Sequence, residues 1–286
     1  MASLVALASA ALYGAADFVG GIASRQAATI AVVAVSQTAG LVLLTILLLW
    51  LPAAMPTTVD LGWGATAGIA GGVGVAWLYR ALAVGTMALV APVTAVCAVT
   101  IPVAAECLSG RWPRPTAVAG IALALVSIAL ISQTPGRSDD SGTVVRRRSG
   151  APAGLWLALL SGVAIGIFYL ALARTGRDAG LWPLVAARSA SALFFCAAAI
   201  ARGEARRVPV RVVEWSVAGG AMDMAANALY LVATRLGPLS EVVTLASLYP
   251  ASTVILAKTV LGERLSRLQG VGIVCALAAV LMIVGG

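Results

Sequence analysis

ASAALYGAADFVGGIASR, residues 8–25, lines up without a gap on LSGVAIGIFYLALARTGR, residues 160–177. Ser9 falls on Ser161, Gly14 on Gly166 and Arg25 on Arg177, each pair 152 residues apart. The same offset carries Trp63 to Trp215, Gly68 to Gly220, Gly85 to Gly237, Gly110 to Gly262 and Gly120 to Gly272. The chain is therefore a duplication, and a duplication decides the architecture before any single helix does. Each half carries five long apolar segments. Because five is odd, a second copy threaded through a membrane after the first must run upside down relative to it. Inverted repeats of this kind imply alternating access to a site between them.

Composition requires the membrane. The chain is 61% hydrophobic and 10% charged, whereas soluble domains carry about 25% charge. A soluble core in 286 residues could not bury this much apolar surface. The bilayer is the solvent, and only helices or closed barrels satisfy their backbone within it. The apolar runs are about 20 residues long and do not alternate, so they read as helices. The formal charge of +8 does not point to nucleic acid, because the basic residues sit in short loops between apolar spans. Cys97, Cys107, Cys196 and Cys275 fall in or at the ends of spans with no CxxC spacing, and read as small packing residues. There is no histidine, which removes the commonest metal ligand and the usual general base. No cofactor is expected. The apolar N-terminus resembles a signal sequence, but Ser9 and Gly14 mark it as the first helix of the repeat.

The reading is an all-α membrane protein of ten transmembrane helices, built as two inverted five-helix repeats around a central cavity. The helices fall near 3–22, 28–50, 61–82, 87–108 and 115–133, then near 153–173, 181–201, 212–234, 239–260 and 267–285. The first repeat takes residues 1–133, a cytoplasmic linker residues 134–152, and the second repeat residues 153–286. Gly64, Gly68 and Gly72 recur every four residues, a stripe that lets another backbone come close. Gly162 and Gly166 form a shorter stripe of the same kind. Pro92 and Pro102 interrupt the hydrogen-bond ladder of helix four, and Pro250 that of helix nine, so both helices are expected to line the cavity.

Loop charge gives an orientation. Thirteen Lys and Arg residues lie on the side of the central linker, against Arg111, Arg114, Arg174, Arg177 and Arg235 on the other. The positive-inside rule then places the linker in the cytoplasm and both termini outside.

Charges inside a span cost at least about 2.5 kcal/mol each at mid-depth. Three stand out: Asp17 in helix one, Arg188 in helix seven and Asp223 in helix eight. Asn227 and Tyr230 follow Asp223 at i+4 and i+7 and share its face. Ser240, Thr244 and Ser247 make a similar stripe on helix nine. Arg188 and Asp223 lie on adjacent helices and can pair. The repeat partners of Asp223, Asn227, Tyr230 and Arg188 are Gly71, Val75, Leu78 and Ser36. Packing accounts for glycines shared by both halves, but not for costly polar groups confined to one. This asymmetry points to a substrate site weighted toward helices seven to nine, with Tyr13 and Asp17 joining from helix one. Tyr169, the repeat partner of Asp17, would face it across the pseudo-axis. Tyr249, before Pro250, could stack on a substrate. Trp77 and Tyr79, beside Arg80, read as interface anchors. The expected partners are a small-molecule substrate and the lipid bilayer, with no nucleic acid. A coupling proton would ride on Asp17 or Asp223.

LYGAADFVGG, residues 12–21, resembles the first helix of EamA-type transporters of the drug/metabolite superfamily. LGERLSRLQGVGIVCALAAVLMIV, residues 261–284, is similar to the end of the second EamA repeat, where a Gly-Glu-Arg turn precedes a Gly-rich last helix. The first half departs from this pattern, with Arg111 where the second half has Glu263. The resemblance implies a ten-helix basket with a central cavity, in a cell membrane such as the bacterial inner membrane. It also implies export of small metabolites such as amino acids or related compounds. Such proteins are usually drawn with cytoplasmic termini, opposite to the charge tally. Two other functions compete. A flippase of a lipid-linked substrate would use the same fold with a lateral groove. A membrane-embedded enzyme has little to work with, since neither HExxH nor GxSxG occurs and Asp17 and Asp223 lack flanking signatures of a protease dyad.

Overall fold

The computed structural model of the chain describes residues 1–48, 56–108, 114–131, 154–176, 179–204, 208–237, 242 and 245–285. Among these residues the fold is all-helical, with no strand. The helices are α1 (Ala2–Gln26), α2 (Thr29–Leu48), α3 (Thr58–Val84), α4 (Met87–Leu108), α5 (Pro115–Ile131), α6 (Leu155–Leu172), α7 (Trp182–Ala201), α8 (Val210–Leu236), α9 (Tyr249–Val260) and α10 (Arg267–Gly285). Among the described residues, α1, α2, α3, α6, α7 and α10 are long and apolar enough to cross a membrane, and shorter apolar stretches lie in α4 and α5. The linker and the turn bearing Arg111 lie outside the described residues.

Local sequence sets several helix ends. At α3, Thr57 Oγ1 accepts the Asp60 N–H at 3.2 Å, and Asp60 Oδ2 accepts the Thr57 N–H at 3.1 Å. This reciprocal box satisfies donors that a helix start otherwise leaves open. Ser266 and Gln269 do the same at α10, at 3.0 and 3.1 Å. The far ends of α3 and α8 stop at repeat-related glycines. Gly85 N–H donates to Ala81 at 2.8 Å, and Gly237 N–H to Ala233 at 3.1 Å.

The duplication is visible in the packing. Each half packs mainly against the other, and the pairings exchange with the halves. α1 lies on α8 as α6 lies on α3, α2 on α8 as α7 on α3, and α1 on α9 as α6 on α4. Hydrogen bonds repeat as well. Ser9 Oγ donates to the Ala226 carbonyl at 2.7 Å, and Ser161 Oγ to the Gly74 carbonyl at 2.7 Å. Adding 152 to Ser9 gives Ser161, and subtracting it from Ala226 gives Gly74. Serine hydroxyls buried in an apolar bundle need such acceptors, and here each joins one half to the other.

The register fixes directions. Along α1 and α8, Ala2 lies against Gly237, Ser9 meets Ala226, and Ala16 and Val19 lie against Gly219. The two helices are antiparallel. Along α6 and α3, Gly154 lies against Ala81, Ser161 meets Gly74, and Phe168 lies against Gly71, so this pair is antiparallel too. α3 and α7 run in the same sense, with Gly64, Gly68 and Gly72 against Pro183, Ala187 and Ser191. A Cβ at Gly68 would run into the Ala187 backbone, so the glycine stripe of α3 is a close backbone seam. Gly162 and Gly166 seat α6 on Cys97 and Ile101 of α4 in the same way.

Two expectations from the prolines need correction. Pro250 does not interrupt a long ninth helix. Leu245 and Ala246 are helical, a turn follows at Ser247 and Leu248, and α9 begins at Tyr249 with Pro250 in its first turn. A first-turn proline lacks only an N–H that has no partner there anyway, so it starts a helix readily. Its repeat equivalent is Ala98, and α4 runs through that point unbroken. The Pro92 part of α4 does not face a cavity either. Met87 to Val96 are all buried, so the freed backbone there meets protein instead of water.

One end of the bundle is drawn together by a carboxylate. Gly262 takes a φ of 64°, a left-handed turn that glycine adopts without strain. The next residue, Glu263, accepts the backbone N–H groups of Met87 and Ala88 at 2.9 and 3.0 Å. A second-half side chain thus caps α4 of the first half, an anion at the positive end of a helix. Arg25 lies 3.9 Å from the same carboxylate. At the opposite end, Asp60 Oδ1 accepts the Gly176 N–H at 2.7 Å, tying α3 to the turn after α6.

Candidate functional site

The polar residues that the sequence singled out converge between the halves. Tyr13 and Asp17 are one helical turn apart on α1 and share a face. Gly14, between them in sequence, lies directly against Tyr249 and Ser252. Thr253 Oγ1 donates to the Gly14 carbonyl at 3.0 Å, and Ser252 Oγ to the Ala10 carbonyl at 3.4 Å. This close seat brings the Tyr249 ring edge-on to Tyr13, with centroids 6.3 Å apart at 63°. Any side chain at position 14 would push α9 away and part the two rings.

Arg188 is engaged on both sides. Its guanidinium donates to the Asp223 carboxylate of α8 and to the Gln37 amide oxygen of α2. Gly40 of α2 lies beside it. The expected Arg188–Asp223 pair therefore forms, and Gln37 is a partner that sequence reasoning missed. Gln37 adjoins Ser36, the repeat equivalent of Arg188, and that adjacency was the available signal. Asn227 is half-buried, and its side-chain amide donates to the Asp223 carbonyl at 2.8 Å, one turn back on α8.

The remaining tyrosines close the cluster. Tyr13 lies within electrostatic range of Asp223, Tyr169, Arg188 and Tyr230. Tyr169 reaches Tyr230, Asp17 and Asp223 in the same way, and Tyr249 reaches Tyr169 and Asp17. Tyr169 is densely surrounded by protein yet 43% exposed. A ring both exposed and deep in a bundle borders an internal opening. Of the other candidates, Ser247 lies in the turn before α9, and Thr244 falls outside the described residues.

Tyr79 corrects an expectation. It is no interface anchor, being 3% exposed. Its ring fills the space against Gly20, and its hydroxyl reaches Ser36 within range of Asp17 and Asp223. Its neighbour Arg80 is exposed. One residue along a helix is a rotation of about 100°, enough to send Arg80 out and Tyr79 in. Trp77 is 36% exposed and stays at the surface.

The cluster holds two carboxyl groups, Asp17 and Asp223, and one guanidinium, which Asp223 takes. Asp17 makes no hydrogen bond or ion pair with any described residue, although it is half-buried. Among the described residues no group of acidic or cysteine side chains is arranged to hold a metal ion. A surface groove of about 350 Å³ lies apart from the cluster, lined by apolar side chains including Ile69, Val73, Trp77, Leu160 and Ile167 of α3 and α6. Its lining is apolar, which suits hydrocarbon and offers nothing to a polar headgroup.

A family model described as the EamA-like transporter family matches residues 1–133 and 152–285. No curated protein matches the chain significantly.

Proposed function

The chain belongs to the EamA-like transporter family, and from that premise we propose that it is a secondary transporter exporting small metabolites such as amino acids or related compounds. Members of this family are membrane transporters, and the apolar helices make this chain a multi-pass membrane protein. We further read it as ten spans in two inverted repeats that rock about a site between them, in a cell membrane. The first repeat takes residues 1–133, a cytoplasmic linker residues 134–152, and the second repeat residues 153–286. The antiparallel register of α1 with α8 and of α3 with α6 supports the inversion.

One observation carries the functional reading. In a bundle that is otherwise apolar, charged and phenolic side chains of α1, α6, α7, α8 and α9 meet where the halves face each other. Stability alone does not call for this, since apolar packing would fill the same space at lower cost. A site shared by both halves is also where relative motion would transfer exposure from one side to the other. The substrate contacts are assigned to Tyr13, Asp17, Tyr169, Arg188, Asp223, Asn227, Tyr230, Thr244, Ser247 and Tyr249.

Inverted membrane vesicles test the direction. With the protein present, they should accumulate labelled amino acids or related amines faster than vesicles lacking it. Equal rates across a broad metabolite panel would count against export. An imposed pH gradient separates the coupling modes, because flux indifferent to it excludes the proton.

A further inference from the structure

We infer that Asp17 is the anchor for a cationic nitrogen on the substrate, so that the site selects compounds bearing a protonated amine and rejects anions. This rests on the proposed transport reading and narrows its substrate class.

The inference starts from an imbalance. Asp223 has its counter-ion in Arg188, and Gln37 holds the other side of that guanidinium. Asp17 has no hydrogen bond or ion pair with any described residue. Asp60 is held by Gly176 and Thr57, and Glu263 by Met87, Ala88 and Arg25. The surroundings of Asp17 do not supply a cation. Asp223, Tyr79, Tyr169 and Tyr249 lie within electrostatic range of it, one anion and three neutral phenols. A carboxylate within a membrane span is costly, and a ligand cation is what would offset that cost.

The phenols suit the same ligand. Tyrosine faces attract ammonium groups through the ring quadrupole, and they also accommodate an apolar body. Tyr13 and Tyr249 already meet edge-on at 6.3 Å, and Tyr249 lies within electrostatic range of Asp17. For a substrate carboxylate the site is poorly arranged. Its one guanidinium is already engaged by Asp223 and Gln37, and a substrate carboxylate that drew it away would strand the Asp223 carboxylate. The ammonium is therefore the required group, and a carboxylate on the same molecule is tolerated without being read.

Three probes with one aromatic body separate these contributions: phenethylammonium, phenylalanine and 3-phenylpropionate. Binding to the purified full-length chain in detergent is measured by ligand-induced thermal shift and titration calorimetry. The cation and the zwitterion should bind within a few-fold of each other, and the anion at least about tenfold more weakly. Asp17→Asn should lose about tenfold for both amines and leave the anion unchanged, while Asp17→Glu should keep the preference. A fold check by size-exclusion profile accompanies each variant. Binding of 3-phenylpropionate as tight as that of the amines overturns the inference. So does an Asp17→Asn protein that folds and keeps the preference, and so does the absence of binding by either amine. Amine-selective binding without flux in liposomes would instead sustain the inference and sink the transport reading.

Discussion

Arg188 shows how much one residue can reveal and conceal. A guanidinium inside an apolar span announces a partner, and Asp223 on the next helix is legible from the sequence alone. The second partner, Gln37, was hidden because a single glutamine in a span carries no pattern. Tyr79 was hidden for a different reason. Adjacency to Arg80 suggested an interface, whereas helical rotation separates neighbouring residues onto different faces. Gly20 opposite it was the unread clue, since a large ring needs a small residue to receive it. The pair itself can be tested. Removing one member of a buried ion pair costs about 3–5 kcal/mol, and less here, because the side chains are 18% and 26% exposed. Arg188→Ala should lower the thermal midpoint in detergent more than the double change Arg188→Ala with Asp223→Ala. A double variant that is the less stable of the two would show that the residues do not act as a pair.

Helices divide into those whose packing the sequence dictated and those it left open. The glycine stripe of α3 predicted a close neighbour, and α7 occupies that seam. Spacing alone could not say which helix it would be, because a small-residue stripe carries no address. Gly68→Ala should depress the folded yield and the thermal midpoint, since its new methyl meets the Ala187 backbone. Gly62→Ala on the same helix is the matched control, with nothing within 4 Å of the added carbon. Helix propensity favours that change by up to about 1 kcal/mol. Equal losses in both proteins would remove the seam from the account. α9 was misread because proline was treated as a kink. Position within the helix decides its effect, and Ser247, where the turn before α9 falls, was read as part of a polar stripe instead.

At the scale of the whole molecule, the duplication was the most legible feature. A fixed offset of 152 relates the halves, and the Ser9–Ala226 and Ser161–Gly74 bonds exchange under it. Symmetry could not predict the departures from itself, and those departures mark the candidate site. Arg188, Asp223, Asn227 and Tyr230 have no polar equivalents in the first half except Ser36. Orientation belongs to this scale too. Arg25, Glu263 and the start of α4 gather at one end, and Gly176 and Asp60 at the other. The positive-inside rule predicts that a reporter fused after Gly286 is active outside the cytoplasm. Cytoplasmic activity would reverse the assignment of sides.

Counterflow in proteoliposomes puts the claim of a shared transport site to its most direct test. Vesicles loaded with unlabelled amino acid or amine should draw in the labelled compound transiently, beyond the level in protein-free vesicles. Asp223→Asn should abolish that overshoot while the protein stays folded. Unchanged exchange in the folded Asp223→Asn protein, or no exchange by the parent chain with any compound of the panel, would contradict the account.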